Sequence, residues 1–279
     1  LSQGGVVYGA GYTQHFKVCH RRAFSKVERD EFKGSKYVQS DLGAIFLSVR
    51  NDLERGLKVL FSGTPCQIAG LKSFVGEEYM ESLYLIDIIC HGVPSPYVWD
   101  DYLIYIEDKY KTKIVKVDFR DKSLGWSVHK ESFVLENNKK HVSNFYSDLF
   151  YRNIMLRPSC SVCKYTNLQR LSDVTIGDFW GWEKVVPHFN TDNMGCSLVI
   201  INTKKGHSVF NKTLGDIDMV QVAISDCIQP NLIKPTSRSI RSDLFYSDYA
   251  GKGFLYIAKK YGKLGYRDIW RRILRKICK

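Results

Sequence analysis

No apolar run in these 279 residues approaches the roughly 20 that a membrane-spanning helix needs, so no transmembrane anchor is expected. Internal repeats and low-complexity tracts are also missing, which leaves neither a solenoid nor a long disordered segment to consider. No Gly-x-Gly-x-x-Gly follows a predicted strand, and Gly9-Ala10-Gly11 does not complete one. A dinucleotide would therefore have to be held differently from the usual Rossmann mode. A second Cys-x-x-Cys pair is lacking, so a zinc ribbon is incomplete. Position 1 is Leu rather than Met and no signal peptide follows. A removed leader would leave the same picture, and the opening Leu-Ser-Gln-Gly-Gly reads like the inside of a protein, so an upstream segment is expected. Acidic residues are scarce in one place. Between Gly251 and Lys279, ten Lys or Arg face Asp268 alone, giving +9 of the total +12. The basicity belongs to a tail, and a nucleic-acid-binding face spread over the protein is excluded.

What is present describes an ordered globular protein: 44% hydrophobic, 25% charged and 13% aromatic residues. The length suits one large or two modest domains. The eight cysteines are Cys19, Cys66, Cys90, Cys160, Cys163, Cys196, Cys227 and Cys278. Their spacing is irregular, and a chain this long has no need of disulfides for stability. The reading is a reduced, cytoplasmic protein that uses a subset of them as ligands.

Val6–Tyr12 and Phe16–Arg22 are predicted to pair as a hairpin. Ser40 or Asp41 is predicted to cap a helix running to about Arg55. Val59–Phe61 is a short apolar strand broken by Gly63, Thr64 and Pro65, after which Gln67–Phe74 resumes at helical spacing with Cys66 at the joint. Leu83–Ile89 is a second buried strand. It ends in Cys-His-Gly-Val-Pro-Ser-Pro at 90–96, where Ser95 and Pro96 start a helix to about Tyr110. Strand alternating with helix implies parallel strands and right-handed crossovers, and ligands in such sheets bind beyond the strands' carboxyl ends. Cys66 and Cys90 both stand at such an end.

From Ile114 the pattern changes to antiparallel strands at Val115–Arg120, Glu131–Leu135 and His141–Tyr146, with Asn137 and Asn138 in a turn, then a helix over Ser147–Met155. Further strands are expected at Asp173–Gly181, Ser197–Asn202 and Asp218–Val222, with a helix after Gly206. The predicted fold class is α/β. A mixed, partly parallel sheet with flanking helices carries a small antiparallel insertion at about 114–146 and a basic helical tail. The core spans 1–202, its end 203–250 and the tail 251–279.

Cys160-x-x-Cys163 is a two-ligand bite, since both thiolates can reach one ion across a turn; a redox-active pair is the alternative. Together with Cys66 and Cys90 it makes a set of four thiolates suited to zinc or to an iron–sulfur cluster. The Gly-Thr-Pro and Gly-Val-Pro loops favour the cluster, because their N–H groups can bond its sulfurs. Gly34–Ser40 puts Ser35, Lys36, Tyr37, Gln39 and Ser40 ahead of a helix whose N-terminus is available to phosphate, or else forms an ordinary polar cap. His91, next to Cys90, is the candidate proton relay, against a purely hydrogen-bonding role. Asp178, Phe179 and Trp180 wall a flavin or cluster site, or form a turn with core aromatics. In the tail, Phe254, Leu255, Ile257, Trp270, Ile273, Leu274 and Ile277 make an amphipathic pattern that either docks on the domain or touches anionic lipid.

Gly-Gly-Val-Val-Tyr-Gly at 4–9, Gly-Ser-Lys-Tyr-Val-Gln-Ser at 34–40, Ser-Gly-Thr-Pro-Cys-Gln at 62–67 and Cys-His-Gly-Val-Pro-Ser-Pro at 90–96 occur in this order. They are followed by Cys160-x-x-Cys163 and Ser-Asp-Val-Thr-Ile-Gly-Asp-Phe-Trp-Gly at 172–181. This series resembles the coenzyme F420 hydrogenase/dehydrogenase beta-subunit family, over roughly Gly4–Asn202 and excluding the tail. Members are iron–sulfur flavoproteins: deazaflavin-reducing hydrogenase subunits, chlorophyll-pathway reductases and bacterial proteins found with polysaccharide genes. The resemblance implies a 4Fe-4S cluster on Cys66, Cys90, Cys160 and Cys163. It also implies FAD cradled by Ser35–Ser40 and by Gly63, Thr64, Pro65 and Gln67. Many relatives carry a ferredoxin-like domain ahead of this region. No Cys-x-x-Cys-x-x-Cys run is present here, so the redox partner is a ferredoxin or such a domain upstream of Leu1.

The expected activity is that of a flavin-dependent oxidoreductase. Electrons pass between cluster, FAD and a small-molecule substrate or deazaflavin coenzyme. The alternatives are a non-catalytic electron-transfer protein and a zinc-stabilised accessory protein at a membrane or polysaccharide-synthesis complex.

Overall fold

The computed structural model describes residues 1–2, 4–189, 192–262 and 264. Strand β1 (Val6–Tyr12) turns back into β2 (Val18–Ala23) as the predicted hairpin, in the register Val7 to Ala23 through Tyr12 to Val18. A short helix α1 (Lys26–Asp30) is closed by a capping box between Ser25 and Glu28. Helix α2 (Ile45–Glu54) begins later than expected, with Ala44 at its cap and no side-chain hydrogen bond there. Ser40 and Asp41 are committed elsewhere. The Ser40 hydroxyl bonds His20, Asp41 pairs its backbone with Val18 and His20, and the Asp41 carboxylate accepts the Gly43 N–H.

The alternation that follows is as predicted: β3 (Val59–Gly63), α3 (Pro65–Val75), β4 (Leu83–Ile88) and α4 (Pro96–Tyr110). Pro96 occupies the first turn of α4, where its missing N–H costs nothing. β5 (Ile114–Asp118), β6 (Glu131–Leu135) and β7 (Lys140–Ser143) form a separate antiparallel three-stranded sheet, with Asn138 in the left-handed conformation at its turn. The last strand is shorter than predicted, because α5 (Phe145–Tyr151) starts within the stretch expected as strand. The cause is Glu131. Its buried carboxylate accepts the N–H groups of Tyr146 and Ser147 and so caps the new helix from the neighbouring strand.

β8 (Val174–Asp178), the short α6 (Trp182–Val185), β9 (Ser197–Ile201) and α7 (Lys204–Asn211) follow. The strand expected at Asp218–Val222 does not form. Its side chains, Met219 and Val220 among them, are exposed, and no described strand pairs with that segment. α8 (Ser242–Lys260) closes the described chain, with a non-helical Gly253 inside it.

The main sheet has the order β2-β1-β3-β4-β8-β9; β1, β3, β4 and β8 run parallel, and β2 and β9 are antiparallel edges. Val49, Leu53, Ile68 and Leu71 of α2 and α3 pack on Tyr8, Val59, Phe61 and Leu85 of the sheet. A second core joins α4, the three-stranded sheet, α5 and α8 through Trp99, Tyr102, Phe133, Tyr146 and Phe245. Phe254 and Ile257, from the start of the predicted tail, are buried in that core, while Leu255 is exposed. Trp270, Ile273, Leu274 and Ile277 lie outside the described residues. No described helix is long and apolar enough to cross a membrane.

Candidate redox site

The parallel pairing of β3 with β4 sets Gly63 opposite Asp87. Cys66 and Cys90 each lie three residues beyond that pair, so the sheet register delivers both to one edge. Cys66 falls in the first turn of α3 and is exposed, its Sγ 3.2 Å from the Thr64 hydroxyl. A capping box fixes this turn, with Gln67 Oε1 accepting the Thr64 N–H at 2.9 Å. The Gln67 oxygen is thus spent on local architecture. Gly63 is tightly packed, since a methyl group there would come within 2.9 Å of that same oxygen, and Pro65 is buried at the start of the helix.

The segment carrying Cys160 and Cys163 is laid against the Cys90 loop. Pro94 bridges Leu156, and the Arg157 N–H donates to the Val93 carbonyl at 2.8 Å. Cys160 sits in a 3-10 turn over Pro158–Val162. Gly92 permits this approach. It adopts a positive φ of 129°, and a Cβ there would meet Leu156 at 3.1 Å and the Cys160 Cβ at 3.4 Å. The four thiols come near enough to feel one another's charge. Burial pushes the Cys90 thiol up to about 12, and the neighbouring thiolates of Cys160, Cys66 and Cys163 add to the rise against an opposing Gly92 N–H. Burial likewise raises Cys160. The side chains do not converge on a point. Among the described residues, no three His, Cys, Asp or Glu groups stand as ligands to a single metal ion. Four thiols from three segments are nevertheless the donor chemistry that thiolate-type metal centres use.

One side chain that sequence reasoning missed holds this arrangement. The Arg170 side chain is buried beside Asp87 at the carboxyl end of β4, with Nη2 2.8 Å from Asp87 Oδ2 and 3.1 Å from the Ile88 carbonyl. Its Nη1 reaches the carbonyls of Tyr165 and Asn167, and its Nε bonds Thr175 of β8. The loop after Cys163 is thereby fastened to the strand that leads to Cys90. Nothing local in the sequence marks this, because the partners are 83 residues apart.

The Gly34–Ser40 loop borders the same site. The Gln39 N–H donates to the Pro94 carbonyl at 3.2 Å. Ser40 reaches the β3 edge through His20, whose ring lies 2.5 Å from the Ser40 hydroxyl and 3.0 Å from the Ser62 carbonyl. Tyr37 stacks on Phe150 with centroids 4.7 Å apart and accepts a hydrogen bond from the Tyr151 hydroxyl. Lys36 is turned inward onto the carbonyls of Phe32, Lys33 and Gly34, and burial pulls it down to about 8. Ser35 remains exposed. A cleft of about 240 Å³ opens where α2 begins, lined by Cys19, His20, Asp41, Ala44 and Ser48. The first turn of α2 has no acidic residue and no side-chain cap; the Ile45 N–H is taken by the Leu42 carbonyl, and the later N–H groups of that turn are the ones able to meet an anion.

His91 is held in place. Its Nε2 is 2.7 Å from Asn153 Oδ1, the Asn231 side chain also hydrogen-bonds it, and its ring lies against Phe150. Burial lowers its pKa, against the opposing pull of the Asn153 and Asn231 hydrogen bonds. Phe179 packs into the small core with Cys196, Leu198, Cys227 and Leu232, whereas Trp180 stands half-exposed.

A family model for the C-terminal part of the coenzyme F420 hydrogenase/dehydrogenase beta subunit matches residues 56–224, a span that includes all four of these cysteines. Among solved structures, a chain of the F420-reducing NiFe hydrogenase complex from Methanosarcina barkeri is similar with a TM-score of 0.49 and 16% identity, over 76% of this chain and 67% of that one. No curated protein sequence matches. The family match extends over more than half of the protein, and the chain belongs to the coenzyme F420 hydrogenase/dehydrogenase beta-subunit family of redox proteins.

Proposed function

We propose that this protein is an iron–sulfur flavoprotein oxidoreductase. In this reading Cys66, Cys90, Cys160 and Cys163 hold a 4Fe-4S cluster, and the loops at 35–40 and 63–67 hold FAD. The observation that carries the proposal is the register of β3 and β4, which brings Cys66 and Cys90 to one sheet edge, while the segment leading into Cys160 and Cys163 is held on the Cys90 loop by the bond from the Arg157 N–H to the Val93 carbonyl. Bound there, the cluster would supply one-electron transfer and the flavin its conversion to two-electron hydride chemistry.

The chain's own residues do the rest. Gly92 and the Arg157–Val93 hydrogen bond close the two cysteine segments on each other, and Arg170 keeps the Cys163 loop against β4. His20 ties the Ser40 loop to the end of β3, so that two segments meant for one cofactor move together. The uncapped start of α2 offers N–H groups to a diphosphate. The substrate class is a small molecule that accepts or gives a hydride, a deazaflavin among the candidates. The family's description as a beta subunit supports a protein partner, here a ferredoxin-type electron carrier.

Protein purified without oxygen is expected to contain iron, sulfide and FAD. Cys160→Ser and Cys163→Ser are expected to lose the iron, and Cys19→Ser to keep it. Colourless protein that carries zinc after anaerobic reconstitution would overturn the proposal.

A second reading, an electron relay without a substrate of its own, draws on Val162. This apolar side chain is 73% exposed between two of the cysteines, where a partner protein would cover it. Reduction of a small-molecule acceptor without any partner separates the two.

A further inference from the structure

Three rings from distant parts of the chain form a wall beside the His91 loop. Tyr151 ends α5, His129 precedes β6 and Trp180 follows β8. The His129 ring centroid is 4.4 Å from that of Tyr151 and 5.4 Å from that of Trp180. At one end Tyr151 contacts Tyr37 through their hydroxyls and lies 5.9 Å from the His91 ring. At the other, Trp180 stacks on Trp126 with centroids 4.4 Å apart and planes 25° from parallel. Trp126 is clamped. The Gly195 backbone presses so closely on it that a Cβ at Gly195 would clash with its Cδ1 and Nε1 edge, and only 3% of its surface is exposed. Trp180 and Tyr151 are 43% and 37% exposed. The His129 ring is tilted 49° to Tyr151 and 46° to Trp180, so the three rings make a faceted wall, anchored inside by Trp126 and open at Trp180 and Tyr151.

Two nitrogens in this wall are shielded from water and have no hydrogen-bond partner: His129 Nδ1 and Arg120 Nε. Arg120 is otherwise fully engaged, with the Asp178 carboxylate and the Trp126 carbonyl, and its guanidinium lies 5.5 Å from the centroids of both tryptophans. Buried polar atoms without partners are rare because they forfeit their hydration. Here they occur beside exposed aromatic faces rather than in a closed core. That combination describes a binding seat, with flat faces for stacking and a polar atom to orient what stacks. Burial, helped by the charge of Arg120 and opposed by that of Asp178, lowers the His129 pKa and favours the neutral ring, in which one nitrogen donates and the other accepts. A flat ring with polar atoms in its plane satisfies both features.

We propose that Tyr151, His129 and Trp180 form the seat of a flavin-type tricyclic ring, with His129 hydrogen-bonding a carbonyl or nitrogen at the ring edge. The inference rests on the reading of this protein as a flavin-handling oxidoreductase, and it moves the ring-binding role from the Gly63–Gln67 loop to a site shared by the antiparallel insertion, the end of α5 and the turn after β8. His91 is a poor rival for the role, because Asn153 and Asn231 already hold its ring. Two sources supply such a ring: the FAD that stays with the protein, or a substrate that comes and goes.

The test uses the full chain, as purified and after removal of bound flavin, titrated with lumiflavin and followed by tryptophan fluorescence and equilibrium dialysis. His129→Phe keeps the ring and removes the nitrogens; Trp180→Leu removes the stacking face. Circular dichroism confirms that each variant is folded. Both are expected to weaken lumiflavin binding at least tenfold. If the seat belongs to resident FAD, the variants also lose flavin during purification, and lumiflavin binds only the stripped protein. If it belongs to a substrate, flavin content is unchanged and lumiflavin binds the protein as purified. Lumiflavin affinities within twofold of the parent in both variants, with unchanged flavin content, would overturn the proposal. So would a parent protein that binds no lumiflavin in either form. Iron content is measured in parallel, and a zinc protein that still binds lumiflavin at His129 defeats the cluster reading while leaving this one standing.

Discussion

Replacing Arg170 with Met is expected to be among the most damaging single changes available in this protein. The side chains of Arg170 and Asp87 are each 1% exposed, and Asp87 Oδ1 already lacks a partner, so Arg170 is what compensates that carboxylate. Breaking a buried ion pair from one side costs roughly 3–5 kcal/mol, because the remaining charge is left without water or counter-ion. A domain has only about 5–15 kcal/mol in all, so roughly a fifth or more of it is at stake. The side chain's other bonds, to the carbonyls of Tyr165, Asn167 and Ile88, would go with it. Equilibrium urea unfolding under reducing conditions reads the loss as a lower midpoint at constant slope. Asp87→Leu combined with Arg170→Met removes both charges and should recover at least half of it. In the folded Arg170→Met variant, Cys163 should also react faster with a thiol reagent, since its loop has lost its tether. A single variant within about 1 kcal/mol of the parent, or a double variant as unstable as the single, would refute the assignment of Arg170 as the clamp of this edge.

Glu131→Gln should destabilise by about 1–3 kcal/mol, read in the same unfolding assay. The amide cannot accept all of the bonds that the carboxylate takes from Tyr102, Tyr146 and Ser147, and α5 should fray first in hydrogen exchange. Asp121 gives a pH signature. Burial alone would raise its pKa, but the Lys140 ammonium and the Ser123 hydroxyl and N–H outweigh it and hold the carboxyl at about 2. Its contribution is full above the unfolded value near 4 and is lost as pH falls from there to about 2. The parent should lose up to about 2 kcal/mol over that window relative to Asp121→Asn, and less in high salt.

The elements built from local signals were legible in the sequence. The β1–β2 hairpin, β3 with its Gly-Thr-Pro break, and α4 with Ser95 and Pro96 at its start all follow from alternation, turn chemistry and capping. The placement of Cys66 and Cys90 on one edge was legible too, because parallel order and strand ends are both local inferences. The errors share a cause. Local sequence points to Ser40 or Asp41 as the cap of the second helix, but Ser40 bonds His20 from the neighbouring strand and Asp41 pairs with that strand's backbone, while α5 starts early because Glu131 reaches it from β6. Val220 and its neighbours have strand-like composition and no described strand to pair with. Arg170, His129 and Trp126 drew no notice because their significance lies in partners far along the chain. Propensity cannot see such partners.

The antiparallel strands at 114–143 look removable on a topology diagram, since they form a sheet of their own. Their inner face, with Ile114, Val117, Phe133 and Leu135, shares a single core with α4, α5 and α8, and Glu131 caps α5. A shortened chain lacking this segment would strip one wall from that core and leave Trp99 and Tyr102 facing water. The segment is therefore a keystone rather than an ornament.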